Sequence, residues 1–374
     1  MVIFIDNEGA EKALDIDTML YDIERGYRDL GLGITAYRPR IDFYVPSNSQ
    51  DQFYRWGTVE GVDRKKNIFA IRMKSDIIYW TQNGREQKYC GKPDQYCGFV
   101  FLFDSNNGLP LAIINDGYIQ HMRVGASAGI GAKYLSRKDS SSVGIIGSGG
   151  MARSHAMAIS KVRDISKIKV YSPSPQHRKA FAKDMRERLK IEVEECEAPE
   201  MTFKNSDIVM ACTSSNFNVM KSEWLEEGMH LSVVRAAEAS EDVLRRADLK
   251  VTLIGPSTKS LFPEGYINGM GISLGPVGGA VASVAVGEEK MFAKIKKRDN
   301  RSEDLLRDAP TLMDIVSGKA KGRTSDSQIT YFDNIEGVQG VQFAYICSTL
   351  YDIMKKQSDN KQVPTEWFLE NIKN

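Results

Sequence analysis

Residues 142–152 join a short apolar segment to closely spaced glycines, a pattern that could bind a nucleotide. Gly147 permits a sharp turn after this segment, and Gly149 lets the main chain approach a pyrophosphate. Ala152 is small enough for a following helix to pack closely on a sheet. The anion would lie at the N-terminus of that helix, where unpaired N–H groups and the helix dipole favour negative charge. The predicted dinucleotide-binding turn consists of Gly147, Ser148, Gly149, Gly150, Met151 and Ala152.

Glycine-rich turns also connect strands to helices for purely structural reasons, so the neighbouring elements must support the nucleotide site. A second apolar strand, 168–171, follows about 20 residues after the first, as a βαβ unit requires. It ends without the carboxylate that holds the ribose hydroxyls of NAD. Ser172, Ser174 and Arg178 could instead hold a 2′-phosphate, which predicts NADP(H) as the preferred cofactor and NAD(H) as the alternative. Residues that follow later strands complete the predicted cofactor-binding set: Thr213, Ser214 and Val234.

A second chemical pattern lies on the segment 69–77, where apolar and charged residues alternate. If this segment is a half-buried strand, Arg72, Lys74 and Asp76 share one face and lie within about 14 Å of one another. A solvated polar face is the structural alternative. Two cations and a carboxylate this close could instead bind a substrate and transfer a proton. We therefore predict that these three residues are catalytic.

Two further arginines favour the functional interpretation of that strand. Arg123 lies near the start of a predicted linking helix, where it would face the crevice between two domains, and Arg40 begins another predicted strand. A guanidinium group presents a planar fork that matches a carboxylate. Together with Arg72 and Lys74, these arginines predict a binding site for a small amino, imino or oxo acid.

The bulk composition limits the class of protein. The chain has 374 residues, 42% of them hydrophobic, which is enough for a full core and two domains. Its 50 basic and 49 acidic side chains nearly cancel, so neither nucleic acid nor an anionic membrane is the expected partner. The five cysteines lack the spacing of zinc ligands, which predicts free thiols, no metal and a reducing cytoplasm. Neither a membrane span nor a signal peptide is expected.

Residues 142–254 alternate predicted strands and helices, which indicates an α/β fold with a doubly wound parallel sheet of the Rossmann type. The strands are predicted at 143–146, 168–171, 191–194, 208–212, 230–234 and 250–254, and the helices at 175–189 and 240–247. The preceding part predicts an α+β domain of mostly antiparallel strands. It contains a helix at 16–30, strands at 40–45, 69–77, 99–103 and 111–115, and a linking helix at 118–136.

These patterns predict two domains. Residues 121–316 would bind the nucleotide, and residues 1–120 with 317–374 would bind the substrate, because a final amphipathic helix at 339–356 has only the first domain to pack against. The glycine-rich stretch 265–287 predicts either a surface loop or a cover over the cofactor cleft. The charged stretch 288–308 predicts a solvated helix or loop.

Two segments resemble one known family, that of ornithine cyclodeaminase and mu-crystallin. The first is 101–112, FLFDSNNGLPLA, followed by MRVGAS at 122–127 and the glycine turn; the second is 322–333, GRTSDSQITYFD. The resemblance covers nearly the whole chain. It implies a homodimer in which the first domain, completed by the C-terminal helix, binds substrate and forms the subunit contact. It also implies that the Rossmann domain holds a nicotinamide cofactor and that Arg123 grips the substrate carboxylate.

The sequence departs from this family at two places. The family's lysine on the charged strand aligns with Arg72, which can anchor a substrate but hardly exchanges a proton at neutral pH. Lys74, on the same face, could supply that proton. The cyclodeaminases carry a catalytic aspartate after the strand at 230–234, whereas residues 235–242 lack it. Glu238 or Asp76 could substitute, but the simpler interpretation is that the chain is not an ornithine cyclodeaminase.

The motifs and the resemblance together predict an NAD(P)-dependent oxidoreductase acting at a C–N bond, either an imino acid (ketimine) reductase or an amino acid dehydrogenase. Arg123, Arg72 and Arg40 would fix the carboxylate, and Lys74, tuned by Asp76, would protonate the nitrogen. Two alternatives remain open. One is cyclodeamination with loss of ammonia, and the other is non-catalytic binding of cofactor and ligand, as in mu-crystallin.

Overall fold

The computed structural model describes residues 1–49, 51–82, 86–253, 279–281, 303–335 and 337–372. The predicted glycine-rich stretch 265–287 lies outside these residues except for 279–281, and so does most of the charged stretch 288–308. Within the described ranges, none of the helices is both long and apolar enough to cross a membrane.

The first half of the chain forms a large, mostly antiparallel sheet, as predicted. Its strands are β1 (Val2–Ile5), β2 (Tyr37–Pro46), β3 (Phe53–Asp63), β4 (Ile68–Trp80), β5 (Glu86–Tyr89), β6 (Cys97–Asp104), β7 (Pro110–Asn115), β14 (Gly279–Val281) and β16 (Lys361–Val363). They are arranged in the order β14-β2-β3-β4-β6-β7-β1-β16, and β5 also pairs with β4. Strand β4 is therefore central, with antiparallel partners β3 and β6 along most of its length.

Helices cover one face of this sheet. Helix α1 (Asn7–Ala13) and helix α2 (Ile16–Gly31) come from the N-terminus, and helix α9 (Gln339–Met354) returns from the C-terminus to contact β3, β4 and α2. Their apolar sides share a core with Val59, Ala70 and Leu102 of the sheet. The position predicted for the C-terminal helix is confirmed. Most of its residues are buried by this packing on the first sheet.

The opposite face of the same sheet, which we call the outer face, is apolar but incompletely buried. Paired side chains such as Ile71 and Phe101 lie there, half-exposed. The large residues of the outer face are Phe43, Trp56, Phe69, Ile71, Met73, Phe99, Phe101, Phe103 and Ile113. A contiguous apolar surface of this kind is typical of a subunit interface.

The second sheet is parallel throughout and has the Rossmann character predicted. Its strands are β8 (Ser142–Ile146), β9 (Lys167–Tyr171), β10 (Glu192–Glu195), β11 (Ile208–Ala211), β12 (His230–Val233), β13 (Leu249–Thr252) and β15 (Thr330–Asp333), in the order β10-β9-β8-β11-β12-β15-β13. The helices of this half are α3 (Gly117–Leu135), α4 (Gly150–Val162), α5 (Pro175–Leu189), α6 (Glu241–Arg246), α7 (Glu303–Leu306) and α8 (Leu312–Val316). Short 3-10 helices occur at Pro199–Thr202, Ser222–Trp224, Ala236–Glu238 and Thr365–Phe368.

The position of strand β15 disagrees with the domain boundary predicted at residue 317. It pairs with both β12 and β13, and all four of its residues are buried. The chain therefore re-enters the parallel sheet at Thr330 and leaves it only after Asp333, when it continues toward α9. A four-residue strand with the sequence TYFD lacks a clear apolar alternation, so the sequence pattern did not reveal its position.

Candidate functional site

The glycine turn has the geometry that a dinucleotide needs. Gly147 has a φ of 115°, and a Cβ at this position would collide with the carbonyl oxygen of Cys212. Gly149 is the N-cap of α4, and a Cβ there would meet no other atom within 4 Å. Ala152 is fully buried on the opposite side of the helix. The turn therefore leaves main-chain N–H groups accessible at a helix N-terminus, which fits a pyrophosphate.

Three residues predicted to contact the adenosine end follow β9. The hydroxyl of Ser148 in the glycine turn donates to the hydroxyl of Ser172 at 3.0 Å, which joins the ends of β8 and β9. Ser174 caps α5 by accepting from the main-chain N–H of His177. Arg178 is buried, and its Nη1 donates to the carbonyl oxygen of Ser172 at 2.7 Å. The guanidinium group of Arg178 therefore stabilises the turn after β9 through this hydrogen bond.

The residues predicted after β11 and β12 are held together by Glu238. One carboxylate oxygen accepts from the main-chain N–H and hydroxyl of Thr213, both at 2.7 Å. The other accepts from the N–H groups of Val234 at 2.8 Å and Arg235 at 3.0 Å. Burial raises the pKa of Glu238, and these hydrogen bonds oppose the rise. Because all four bonds fix the loop, Glu238 does not replace the missing aspartate of the cyclodeaminases, contrary to the possibility raised from the sequence.

Ser214 belongs to the same loop as Thr213. Its carbonyl oxygen accepts from Nη1 of Arg235 at 3.2 Å, so the side chain of Arg235 joins the ends of β11 and β12 in addition to Glu238. The predicted residues Thr213, Ser214 and Val234 therefore lie together at the carboxyl edge of the parallel sheet. This is the edge at which ligands of open α/β sheets bind.

The alternation predicted for the charged strand is confirmed, and the charged side chains face inward. Arg72, Lys74 and Asp76 of β4 are buried, whereas the apolar residues between them lie on the outer face. The alternative of a solvated polar face is therefore wrong. Ionisable groups are rarely buried without partners, since removing them from water is costly. The partners of these three residues define the site.

Arg72 and Arg123 come from distant parts of the chain and converge on one aromatic ring. The guanidinium carbon of Arg72 lies 5.2 Å from the ring centroid of Phe343 on α9, and that of Arg123 lies 5.7 Å from it. Nη1 of Arg123 also donates to Oε1 of Gln342 at 2.8 Å. The sequence predicted both arginines. It did not reveal Gln342 or Phe343, because the pattern of α9 indicated only which side packs.

Arg72 is tied to the start of the linking helix. Its Nε donates to Oδ2 of Asp116 at 2.7 Å, and its Nη2 donates to Gln120 at 3.2 Å. A Cβ on Gly98 of the neighbouring strand would collide with the Asp116 carboxylate, so glycine is needed there for the pair to fit. Part of the positive charge of Arg72 is thereby neutralised, and its orientation is fixed.

Asp76 pairs with an arginine and Arg40 pairs with an aspartate, and the sequence indicated neither partner. Oδ2 of Asp76 accepts from Arg55 at 3.1 Å, and both side chains are buried. Burial acts to raise the pKa of Asp76, but the cations Lys88, Lys74 and Arg55 outweigh it and lower the pKa. Nε of Arg40 donates to Asp42 at 2.7 Å. Asp76 therefore stays ionised beside Arg55 and acts on Lys74 only through its charge.

Lys74 of β4 and Lys88 of the neighbouring strand β5 lie near the same aromatic side chain. The Nζ atoms of Lys74 and Lys88 lie 5.8 and 5.9 Å from the ring centroid of Tyr96. Burial, followed by the like charge of Arg72, lowers the pKa of Lys74. The side chain of Lys88 is exposed on strand β5. Loss of hydration of its ammonium group, followed by the charge of Lys74, lowers the pKa of Lys88 to about 8.

His121 connects this charged cluster to the glycine turn. A Cβ on Gly150 would lie 3.5 Å from Nδ1 of His121, so the imidazole ring sits beside the first turn of α4. Loss of hydration lowers the pKa of His121, followed by the charges of Lys74 and Lys88. Helices α3 and α4 can approach this closely because Gly125 has no Cβ to collide with the main chain of Ser154. The sequence analysis missed both Lys88 and His121, because no periodic pattern marks them.

The chain matches the model of the ornithine cyclodeaminase/mu-crystallin family over residues 78–346. It is 27% identical to an alanine dehydrogenase of Archaeoglobus fulgidus over 342 residues, 89% of each chain. It is 23% identical to an ornithine cyclodeaminase of Agrobacterium fabrum over 318 residues, 81% of this chain and 78% of the relative.

A solved structure shows the same fold. It is that of Thermococcus litoralis Delta(1)-pyrroline-2-carboxylate reductase in complex with NADH and L-proline, with a TM-score of 0.73 and 24% identity, covering 97% of this chain and 100% of the other. The family match extends over well more than half of the chain, from the end of β4 into α9. The protein therefore belongs to the ornithine cyclodeaminase/mu-crystallin family, as its two signature segments predicted.

Proposed function

We propose that the protein is an NAD(P)-dependent oxidoreductase acting at a C–N bond, as an imino acid reductase or an amino acid dehydrogenase. The observation that carries this proposal is the convergence of Arg72 and Arg123 on Phe343, close to the buried ammonium group of Lys74. The glycine turn supports a dinucleotide as cofactor. The related alanine dehydrogenase and pyrroline-2-carboxylate reductase support the reaction class.

In the proposed site, Arg123 binds the carboxylate of the substrate. Its guanidinium group is oriented by Gln342 and by the ring of Phe343. Arg72 adds positive charge near the same ring, and its hydrogen bond to Asp116 fixes its orientation. A charge-assisted, bidentate contact of this kind fixes the position of the carbon next to the carboxylate as well as the carboxylate itself.

Lys74 is the proposed proton donor to the substrate nitrogen. The nicotinamide supplies the hydride that the imine carbon accepts. Lys74 can release its proton because burial and Arg72 lower the pKa of its ammonium group, whereas Arg72 keeps its proton at neutral pH. The hydride adds to carbon and the proton adds to nitrogen, so the C=N double bond becomes a C–N single bond. The reverse sequence oxidises an amino acid.

The test is net oxidation of the reduced cofactor by the purified protein. We expect the absorbance of NAD(P)H to fall with cyclic imino acids, or with 2-oxo acids plus ammonia. Ammonia release from ornithine with no net change in that absorbance would instead establish cyclodeamination. Tight cofactor binding without turnover of any imino, oxo or amino acid would establish a binding protein. The hydrogen bonds that occupy Glu238 argue against cyclodeamination.

We also propose NADP(H) as the preferred form of the cofactor. The turn after β9 offers the hydroxyls of Ser172 and Ser174 and the partial positive charge of an N-terminal helix end, but no carboxylate within residues 171–178. The buried Arg178 adds positive charge beside the turn, although its Nη2 also pairs with the exposed Glu197 at 3.4 Å. A 2′-phosphate is compatible with these groups, and NAD(H) also fits because none of them excludes an unmodified ribose.

Replacing Ser172 with aspartate is expected to weaken NADPH binding about tenfold or more and to leave NADH binding equal or stronger. The reason is that the new carboxylate repels the 2′-phosphate and can accept hydrogen bonds from the ribose hydroxyls. Fluorescence titration of both reduced cofactors measures the change. Ser172→Asn is the matched control, because it adds similar volume without charge. An equal loss for both cofactors in Ser172→Asp would contradict the proposed preference.

A homodimer is proposed on the strength of the outer face. Its aromatic and aliphatic side chains lie on the side of the first sheet opposite α2 and α9 and are only half-buried in one chain. A second copy would bury them, and light scattering at twice the chain mass of 41.9 kDa tests this assembly.

The five cysteines are free in the structure, which is compatible with the reducing cytoplasm expected from the sequence.

A further inference from the structure

Two ammonium groups on the inner, charged face of the first sheet have no carboxylate partner. Lys88 pairs with Ile78 across β5 and β4, so its side chain leaves the sheet on the same face as Lys74. Among the described residues, no carboxylate lies within ion-pair distance of either Nζ. Arg55 is shared by two carboxylates, Asp76 and Glu86, whereas Arg40 and Arg72 each pair with one aspartate. With Arg123, Lys74 and Lys88 included, the described residues of the site supply six cations and four carboxylates, which leaves an excess of two positive charges.

Such an arrangement is unfavourable in the absence of an anion. Loss of hydration, followed by the like charge of Lys74, lowers the pKa of Lys88 to about 8, so keeping both ammonium groups charged is unfavourable. The ring of Tyr96, whose centroid lies 5.8 and 5.9 Å from the two Nζ atoms, offsets only part of this cost, since a cation–π contact at an accessible site contributes about 0.5–1 kcal/mol. A bound anion would remove the repulsion.

One substrate carboxylate does not account for this excess charge. In the proposed function, that carboxylate is bound by Arg123 and Arg72 at Phe343. Lys88 lies on β5, whereas Arg72 lies on β4 and Arg123 on α3, and Lys88 and Lys74 both lie near the ring of Tyr96. An anion between Lys88 and Lys74 must therefore belong to another part of the substrate.

We propose that Lys88, with Lys74 beside it, binds a second acidic group on the substrate, so that the substrate class is the 2-imino and 2-oxo dicarboxylic acids and their amino acid products. This inference rests on the proposed function for the reaction at the C–N bond. The hydride from the reduced cofactor adds to the imine carbon and a proton adds to the nitrogen. The second acidic group takes no part in bond making or breaking. Lys88 is a specificity-determining residue.

The proposal has a distinctive pH dependence. Lys88 faces Lys74 and Asp76 on β4, Arg55 on β3, Arg40 on β2, His121 on α3 and the ring of Tyr96. The two arginines stay protonated, the lowered pKa of Asp76 keeps it ionised, and the lowered pKa of His121 leaves it neutral near pH 8. As the pH rises above about 8, Lys88 loses its charge in the free protein. Affinity for the second acidic group should then fall by up to about tenfold per pH unit, whereas binding of monocarboxylic acids should change less.

The first experiment compares kcat/KM for oxaloacetate plus ammonia with that for pyruvate plus ammonia. We expect the dicarboxylic acid to be preferred, and Lys88→Met to lower its kcat/KM about 10- to 100-fold and to reduce its decline above pH 8 to the decline observed with pyruvate. The same substitution should lower kcat/KM for pyruvate at most about threefold. Lys92→Met is the matched control, because Lys92 is an exposed lysine of the same hairpin, and it should change neither substrate.

The second experiment measures binding without turnover, so that the two proposals can fail separately. Calorimetry of the protein saturated with cofactor should detect succinate and a much weaker butyrate, and Lys88→Met should remove the difference. Equal use of both oxo acids, with no effect of Lys88→Met on either measurement, would overturn the inference and leave the proposed function intact. Succinate binding that depends on Lys88, without turnover of any oxo acid, would support the anion site and overturn the proposed function.

Discussion

Replacing Arg123 with methionine should lower kcat/KM for the imino or oxo acid about a thousandfold, with little change in cofactor affinity. Arg123 is buried and held by Gln342 and Phe343, so its fork is oriented before the substrate binds. Truncating one partner of a buried, hydrogen-bonded charge pair costs about 2–5 kcal/mol, and about 4 kcal/mol corresponds to this loss. Steady-state kinetics with saturating cofactor measures it.

The contribution of the planar guanidinium group of Arg123 can be separated from the contribution of its positive charge. Arg123→Lys keeps the charge but loses the planar fork, so we expect an intermediate loss of roughly 10- to 100-fold. Lys133→Met is the matched control on the same helix, because its ammonium group is half-exposed and pairs with Glu24 on the surface. A folded Arg123→Met protein with wild-type kcat/KM would show that the carboxylate binds elsewhere.

Replacing Phe101 with glutamate should convert the proposed dimer into a monomer. Phe101 is paired with Ile71 and Ile113 of the neighbouring strands near the centre of the outer face. A carboxylate at this position would have to lose its water if a second sheet packed on it, which costs several kcal/mol. Association of the dimer should weaken, with the dissociation constant Kd rising by at least a hundredfold, and light scattering across a dilution series measures it.

The exposed surface of helix α2, on the side of the first sheet opposite the outer face, provides the control. Tyr21 lies on α2, is 69% exposed and projects away from the sheet, so Tyr21→Glu should leave the assembly unchanged. Circular dichroism separates dissociation from unfolding, and Ile71→Lys should reproduce the effect from the neighbouring strand. A Phe101→Glu protein that keeps its secondary structure and the mass of the wild-type assembly would rule out the outer face as the interface.

Local patterns predicted the parts of the site whose geometry depends on neighbouring residues. The φ of Gly147 follows from a sharp turn that only a glycine adopts readily, so the turn could be identified from its sequence. The face shared by Arg72, Lys74 and Asp76 follows from the two-residue period of a strand. Both inferences needed only residues within one or two elements.

The partners of these residues could not be predicted in the same way. Arg72 selects Asp116, 44 residues away, and Arg123 selects Gln342, 219 residues away. Which carboxylate or amide meets which guanidinium depends on the register of the sheet and on the docking of α9. Glu238 looked like a candidate catalytic acid from its position after β12, but four hydrogen bonds to the ends of two strands commit it to the loop.

The placement of β15 between β12 and β13 has a consequence for biosynthesis. While the ribosome is still adding residues before Thr330, β12 and β13 each lack their central neighbour, so the parallel sheet has two open edges where the final strand will insert. Helix α9, which covers the first sheet, is made later still. Neither half can reach its final form as an early, independent unit. The nascent chain must therefore keep both halves from aggregating until residues 330–354 have left the exit tunnel.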